Sequence, residues 1–171
     1  MAKPNRVFLV GPMGAGKTTI GRQLAQALGM EFRDSDHEIQ RRTGVDIPTI
    51  FEYEGEDGFR QREQQAIDDL TQVDNVVLAT GGGAVLRAEN RQHLSARGIV
   101  FFLACTPEQQ YERTHRDRNR PLLQTEDPMS RLRELSAERE PLYRATADYV
   151  ISTEGRGASA VANEILDTLR G

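Results

Sequence analysis

Apolar residues recur along this chain in two rhythms. Short apolar, β-branched runs at Arg6–Val10, Asn75–Ala79, Ile99–Ala104 and Tyr149–Ile151 read as strands buried on both faces, and Glu31–Phe32 offers a shorter fifth. Between them the spacing lengthens to three and four. Ile20, Leu24, Ala27 and Leu28 share one face of a helix over Thr19–Leu28. Val161, Ile165, Leu166 and Leu169 do the same for a final helix over Ala158–Leu169, which closes the core. Such alternation predicts a single α/β domain spanning residues 1–171, with a five-stranded parallel sheet and helices on both faces. No internal repeat, low-complexity tract or linker divides it.

Three segments do not serve the sheet in an obvious way. Residues 34 to about 70 read as two or three charged helices interrupted at Gly44, Pro48 and Gly55–Gly58. Gly81-Gly82-Gly83 forms a turn after the Asn75–Ala79 run, and Arg113–Asp127 is arginine-rich and ends in a loop. In open α/β sheets ligands lie beyond the C-terminal ends of the strands, where such segments gather. They are expected to be an acceptor-binding segment (about 34–70), a close-approach turn and a lid (about 113–127).

The strongest chemical signal follows the first strand. Gly11-Pro-Met-Gly-Ala-Gly16-Lys17-Thr18 fits GxxxxGK[ST], the phosphate-binding P-loop, and lies where the mechanism needs it, between a strand and a helix. Glycines let such a loop curl so that backbone N–H groups point inward, and the helix N-terminus adds partial positive charge. Lys17 is then expected to reach the β- and γ-phosphates, and the Thr18 hydroxyl to ligate Mg²⁺. A nucleoside triphosphate is the expected ligand.

Composition sharpens this picture. With 171 residues, 37% apolar and 28% charged, the chain can bury a core without disulfides or structural metal. The longest apolar run, Ile99–Cys105, is too short to cross a bilayer, and MAKPNR leads straight into the first strand without room for a signal peptide. The single cysteine, Cys105, reads as a structural thiol in an apolar strand. These features together point to the cytoplasm. A net charge of −4 disfavours nucleic acid and anionic membranes as partners, so a chain that binds an anionic nucleotide must gather its cations locally.

Those local cations and their acidic neighbours are the remaining candidates. Asp34 and Asp36 follow the short second strand; two apart on extended backbone, both carboxylates would face the transferred phosphate. One could hold Mg²⁺ through water and the other accept a proton from an acceptor hydroxyl, or Asp36 could simply cap the helix that begins at His37. Arg60 sits in a charged helix over Glu56–Leu70, where a solvated face residue is the ordinary reading. Arg139 differs, because in a helix capped by Asp127, begun by Pro128 and ended by Pro141 it shares the stripe of Leu132 and Leu135. An inward guanidinium needs an anion, either a structural carboxylate or a carboxylate-bearing substrate. Gly81, Gly82 and Gly83 permit positive φ and close approach of a ligand. Arg113, Arg116, Arg118 and Arg120 lack interleaved aromatics for stacking bases and fit a phosphate-clamping lid better. His37, His93 and His115 have no metal-ligand spacing.

Taken together, GPMGAGKTTIGRQLA, FRDSD, GFRQRE, ATGGGAV, RNRPLL and EREPLYRATAD resemble the bacterial shikimate kinases, in order and spacing, over nearly the whole chain. The resemblance implies transfer of the ATP γ-phosphoryl group to the 3-hydroxyl of shikimate, with Mg²⁺, on the route to chorismate. It implies that Gly14, Ala15, Gly16, Lys17, Thr18 and Thr19 hold the nucleotide phosphates, that Thr18 and Asp34 serve the metal, and that Asp36 is the base. Arg60 and Arg139 would bind the shikimate carboxylate, with the Gly81–Gly83 backbone near the ring hydroxyls. Arg120 would descend on the phosphates, Arg113 would lie near adenine, and Arg156 would hold adenine's other side. No aspartate follows the third strand in the Walker-B manner, so few protein groups would reach the metal directly. A monomer is expected. Gluconate is an alternative acceptor, since it too carries a carboxylate and hydroxyls. A GTP-dependent regulatory module would need an NKxD motif, which the chain lacks.

Overall fold

In the computed structural model, which describes residues 5–115 and 127–171, the apolar runs form one all-parallel sheet. Its strands are β1 (Arg6–Val10), β2 (Glu31–Asp34), β3 (Val76–Ala79), β4 (Ile99–Ala104) and β5 (Tyr149–Ser152), in the order β2-β3-β1-β4-β5. Central β1 sets the register, with Phe8 opposite Leu78 on one side and Val100 on the other. Among the described residues seven α-helices connect and cover the strands: α1 (Lys17–Leu28), α2 (Ser35–Thr43), α3 (Ile47–Leu70), α4 (Ala88–Arg97), α5 (Pro107–Thr114), α6 (Pro128–Thr146) and α7 (Ala158–Arg170).

The three central strands, β1, β3 and β4, lack polar alternation because both faces are covered. Val7, Leu9, Val77, Phe101 and Leu103 pack with Ile20 and Leu24 of α1 and Val161 and Ile165 of α7. Phe8, Val10, Val76, Leu78, Val100 and Phe102 face the other way, against Ile67 and Leu70 of α3, Leu94 of α4 and Tyr143 of α6. The P-loop and the glycine turn therefore both start from the ends of buried strands.

Several local expectations are corrected. Helix α1 begins at Lys17, two residues early, because Gly16 takes a left-handed conformation (φ 90°) and turns the chain directly into the helix. The cap of α2 is Asp34 rather than Asp36: Asp34 Oδ1 accepts from His37 N at 3.1 Å, and Asp36 falls in the first helical turn. Pro48 does not interrupt a helix but sits in the first turn of α3, where a missing N–H costs nothing. The true break is at Gly55, whose φ of 72° bends α3. Pro141 does not end α6, which runs on to Thr146. Burial of Leu135 and Tyr143 on either side offsets the lost backbone bond and holds the last turns in place.

One charge cluster on α2 sets an acid limit on stability. Hydrogen bonds from Arg41 hold the Glu38 carboxyl down at about 2, with Arg42 adding to the effect against the opposing cost of burial. Glu38 is deprotonated more readily folded than unfolded, so its contribution is complete above the ordinary glutamate range near 4.5 and vanishes as pH falls towards 2. Arg41 is well exposed, so solvent screening keeps the contribution small. Denaturant titrations should find Glu38→Gln less stable than the parent at pH 7, with the gap closing between pH 4.5 and 2. A gap constant over that range would show that the ion pairs contribute nothing.

Candidate active site

Beyond the C-terminal ends of β1, β2 and β3 lies a cleft of about 460 Å³. Its lining includes Gly14, Gly16, Lys17, Thr18 and Thr19 of the P-loop, both Asp34 and Asp36, Gly81 and Gly82, and Arg113. Ala15 is buried beneath the loop and faces a second hollow described below.

The loop geometry matches the phosphate-cradle expectation. Gly14 (φ 82°) and Gly16 (φ 90°) occupy left-handed backbone, and α1 has neither a side-chain cap nor an acidic residue in its first turn. Its N-terminal amides and dipole are thus directed at the cleft. Lys17 is mostly buried, and its ammonium donates to the carbonyls of Gly11 at 2.5 Å and Pro12 at 2.8 Å, which fixes its head over the loop.

Asp34 and Asp36 meet at the cleft by a route other than extended spacing, since the chain turns from β2 into α2 between them. Asp34 uses one oxygen as the helix cap and offers the other to Thr18, whose hydroxyl donates to Oδ2 at 2.9 Å. A magnesium ion favours such hard oxygens and commonly takes only one or two from protein, with water and phosphate completing its shell. The Thr18–Asp34 pair fits that requirement. Among the described residues no group of three or more His, Cys, Asp or Glu side chains is arranged to hold a metal.

The Gly81–Gly83 turn works by close approach, not by positive φ: none of its glycines is left-handed. A Cβ on Gly81 would lie 2.7 Å from Asp36 Oδ1, and one on Gly83 would collide with the Arg60 guanidinium. A Cβ on Gly82 would sit 3.5 Å from Arg139 Nη1. The turn is therefore where α2, α3 and α6 deliver a carboxylate and two guanidiniums to the end of β3.

Both arginines are buried, so the solvated-face reading of Arg60 fails. Burial works against the Arg60 charge, but Glu63 at 2.9 Å and Glu56 at 3.3 Å outweigh it and hold its pKa above the usual value. Arg139 is the opposite case. Burial pulls its guanidinium below the usual value; Tyr143 offsets this in part, while Arg60 adds to the depression. Its Nε is buried with no hydrogen-bond partner among the described residues, and no carboxylate there pairs with it. Glu63 is fully enclosed and pushed up by burial, against the pull of Arg60, Arg139 and Arg87.

On the other side of the loop, Gly14, Ala15, Gly16 and Thr19 line a hollow of about 260 Å³ together with Arg113, Thr153 and Arg156. Arg113 donates to Gly14 O at 2.7 Å, and Arg156 is tied to Glu164 at 2.6 Å and Ser152 O at 3.0 Å. Cys105 lies beside them, half-buried, with its thiol pushed up by burial despite Arg113 nearby. Arg116, Arg118 and Arg120, with most of the expected lid, fall outside the described residues.

Glu63 and Tyr143 escaped the sequence reading although both face the arginines. Their signal was present as helical spacing: Glu63 follows Arg60 by three residues and Tyr143 follows Arg139 by four.

A doubly covered parallel sheet, a P-loop opening α1 onto a cleft, and two buried arginines beside the glycine turn that borders it define a P-loop phosphotransferase. The chain belongs to the shikimate kinase family, whose model matches residues 13–170. A shikimate kinase of Methylococcus capsulatus is 59% identical over 167 residues, covering 98% of this chain and 93% of the relative. The structure of shikimate kinase from Acinetobacter baumannii in complex with shikimate superposes with a TM-score of 0.96 at 54% identity, covering 98% of this chain and 93% of that one. A gluconokinase structure from Sinorhizobium meliloti, 17% identical with a TM-score of 0.58 and covering 99% and 94%, shares the fold alone. Membership places the chain among the ATP-dependent kinases of the shikimate pathway, as the resemblance implied. Among the described residues no helix is long and apolar enough to cross a membrane.

Proposed function

We propose that this cleft transfers the γ-phosphoryl group of ATP to the 3-hydroxyl of shikimate, and that Arg139 receives the acceptor's carboxylate. One observation carries the assignment: a guanidinium buried with an unpartnered Nε and no carboxylate paired to it among the described residues. An uncompensated buried charge is costly, and a substrate carboxylate is the anion that would complete it. Arg60, already held by Glu63 and Glu56, supplies a second fixed positive end beside Gly83, and the Gly81–Gly82 backbone borders the ring hydroxyls.

The P-loop amides from Gly14 to Thr19 would cradle the nucleotide phosphates, and Lys17 would reach the β- and γ-phosphates. Thr18 and Asp34 would hold Mg²⁺, which would supply charge neutralisation on the phosphates. Asp36 takes the proton from the 3-hydroxyl as its oxygen bonds the γ-phosphorus and the bond to the β-phosphate oxygen breaks, leaving ADP. Arg120 stabilises the charge spreading over the transferred group, and Arg113 and Arg156 flank adenine. The main task of these residues is alignment and charge stabilisation, with little demand on the base. The enzyme acts as a cytoplasmic monomer in this reading.

The regiochemistry is testable by ³¹P–¹H correlation NMR of the product formed from Mg-ATP and shikimate. The phosphorus should couple to the proton on C3. Coupling to another ring carbon would require a different pose in the cleft, with Asp36 no longer beside the reacting hydroxyl.

A further inference from the structure

The glycine turn after β3 is fastened from several sides. Thr80 bonds Leu9 O through its amide at 3.1 Å and its hydroxyl at 2.9 Å, and Gly81 N donates to Ser35 Oγ at 3.1 Å. From α6, Tyr143 donates its phenolic hydroxyl to Gly82 O at 2.5 Å. Tyr143 is 2% exposed, and its ring stacks on Phe102 of β4 with centroids 5.0 Å apart and planes at 28°. One helical turn earlier on the same element stands Arg139, with Nη1 3.5 Å from the position of a Gly82 Cβ.

A single phenol thus joins the sheet, the glycine turn and the neighbourhood of the buried arginine. The carbonyl of Gly82 and the amide of Gly83 belong to one planar peptide unit, so fixing the first fixes the second. Glycine on both sides would otherwise let that unit rotate at little cost. Burial pushes the phenol up to about 12, so it remains a neutral donor at any working pH.

We propose that Tyr143 is a positioning residue of the acceptor site, holding the Gly82–Gly83 peptide and the Arg139 guanidinium in the arrangement that receives the acceptor carboxylate. The proposal rests on the assignment of that carboxylate to Arg139. Tyr143 touches no reacting atom. It acts on acceptor affinity through Gly82, to whose carbonyl it donates, rather than on the nucleotide phosphates.

Tyr143→Phe keeps the ring, its volume and its stack on Phe102, and removes only the hydroxyl. It leaves Gly82 O without its donor, an effect on the order of tenfold if felt at the acceptor site. The expected result is a shikimate KM raised about tenfold, an ATP KM within about twofold of the parent, and a nearly unchanged kcat. Phe102→Leu, which loosens the seat of the ring but keeps the hydroxyl, should lower Tm while leaving the ratio of the two KM values in place. A merely structural tyrosine would instead lower Tm and leave shikimate KM alone, or move both KM values together; either outcome overturns the proposal. Arg139→Ala, measured alongside, separates the two ideas. If it leaves shikimate KM unchanged, the carboxylate assignment fails and the role of Tyr143 with it. If it raises shikimate KM and Tyr143→Phe does not, only the role of Tyr143 fails.

Discussion

Lys17→Met should lower kcat by on the order of 10³-fold or more while leaving the fold intact. Methionine keeps most of the length and volume of lysine and removes the one ammonium that the loop holds by the carbonyls of Gly11 and Pro12. The substitution leaves the Gly11 and Pro12 carbonyls without this donor, a cost limited to a modest fall in Tm because the loop borders an open cleft where water can replace it. Catalysis has no such substitute. Charge develops on the phosphoryl oxygens as the bond to ADP breaks, and a preorganised cation in a partly dry cleft acts on that charge more strongly than water can. Tm within a few degrees of the parent together with the large fall in kcat is the expected pair of observations. Turnover within tenfold of the parent would remove Lys17 from the transition state and leave it as a tie that shapes the loop.

Arg139→Ala should raise the KM for shikimate about 100-fold, with a much smaller change in the KM for ATP. Charge-assisted hydrogen bonds to a buried carboxylate contribute roughly 1.5–3 kcal/mol each, and a guanidinium can make two. Because the carboxylate lies away from the reacting hydroxyl, its binding is felt equally before and during transfer, so the loss falls on KM more than on kcat. Stability gives an independent check. Arg139 is buried beside the like charge of Arg60 and has no ion pair among the described residues, so its removal should cost the fold little. An unchanged acceptor KM with a large drop in Tm would identify the partner of Arg139 as internal.

These two residues also mark what could be read from the chain alone. The P-loop was legible because its chemistry is local: the glycines, Lys17 and Thr18 are consecutive, and the strand and helix that present them announce themselves by apolar spacing. Arg139 was legible as an inward cation because it shares a stripe with Leu132 and Leu135, both buried in the structure. The anion it faces could not be read, because pairing depends on which other helices arrive at the same point. Arg60 shows the same limit from the other side. Its helix looks charged all round, and only the packing of α3 against the end of β3 makes it a buried residue with Glu63 and Glu56 as partners.

Helix ends were misread where tertiary contacts outweigh local preference. Pro141 is a strong stop signal, yet Tyr143 has a ring slot against Phe102 and an acceptor at Gly82, and these contacts carry α6 past it. The glycine run after β3 is expected from the sequence to admit a ligand close to its backbone, and the structure brings Asp36 and Arg60 side chains close to it. Positive φ is not its reason, since none of the three glycines is left-handed, and a side chain at Gly81 or Gly83 would collide with Asp36 or the Arg60 guanidinium. The roles of Asp34 and Asp36 were also divided differently, with Asp34 serving as cap and Thr18 partner at once.

The most direct test is ADP release from Mg-ATP by the purified chain with shikimate, with gluconate and with no acceptor. Strong stimulation by shikimate alone is the predicted result. Stimulation by gluconate instead, or the same slow release under all three conditions, would contradict the assignment of this cleft to shikimate phosphorylation.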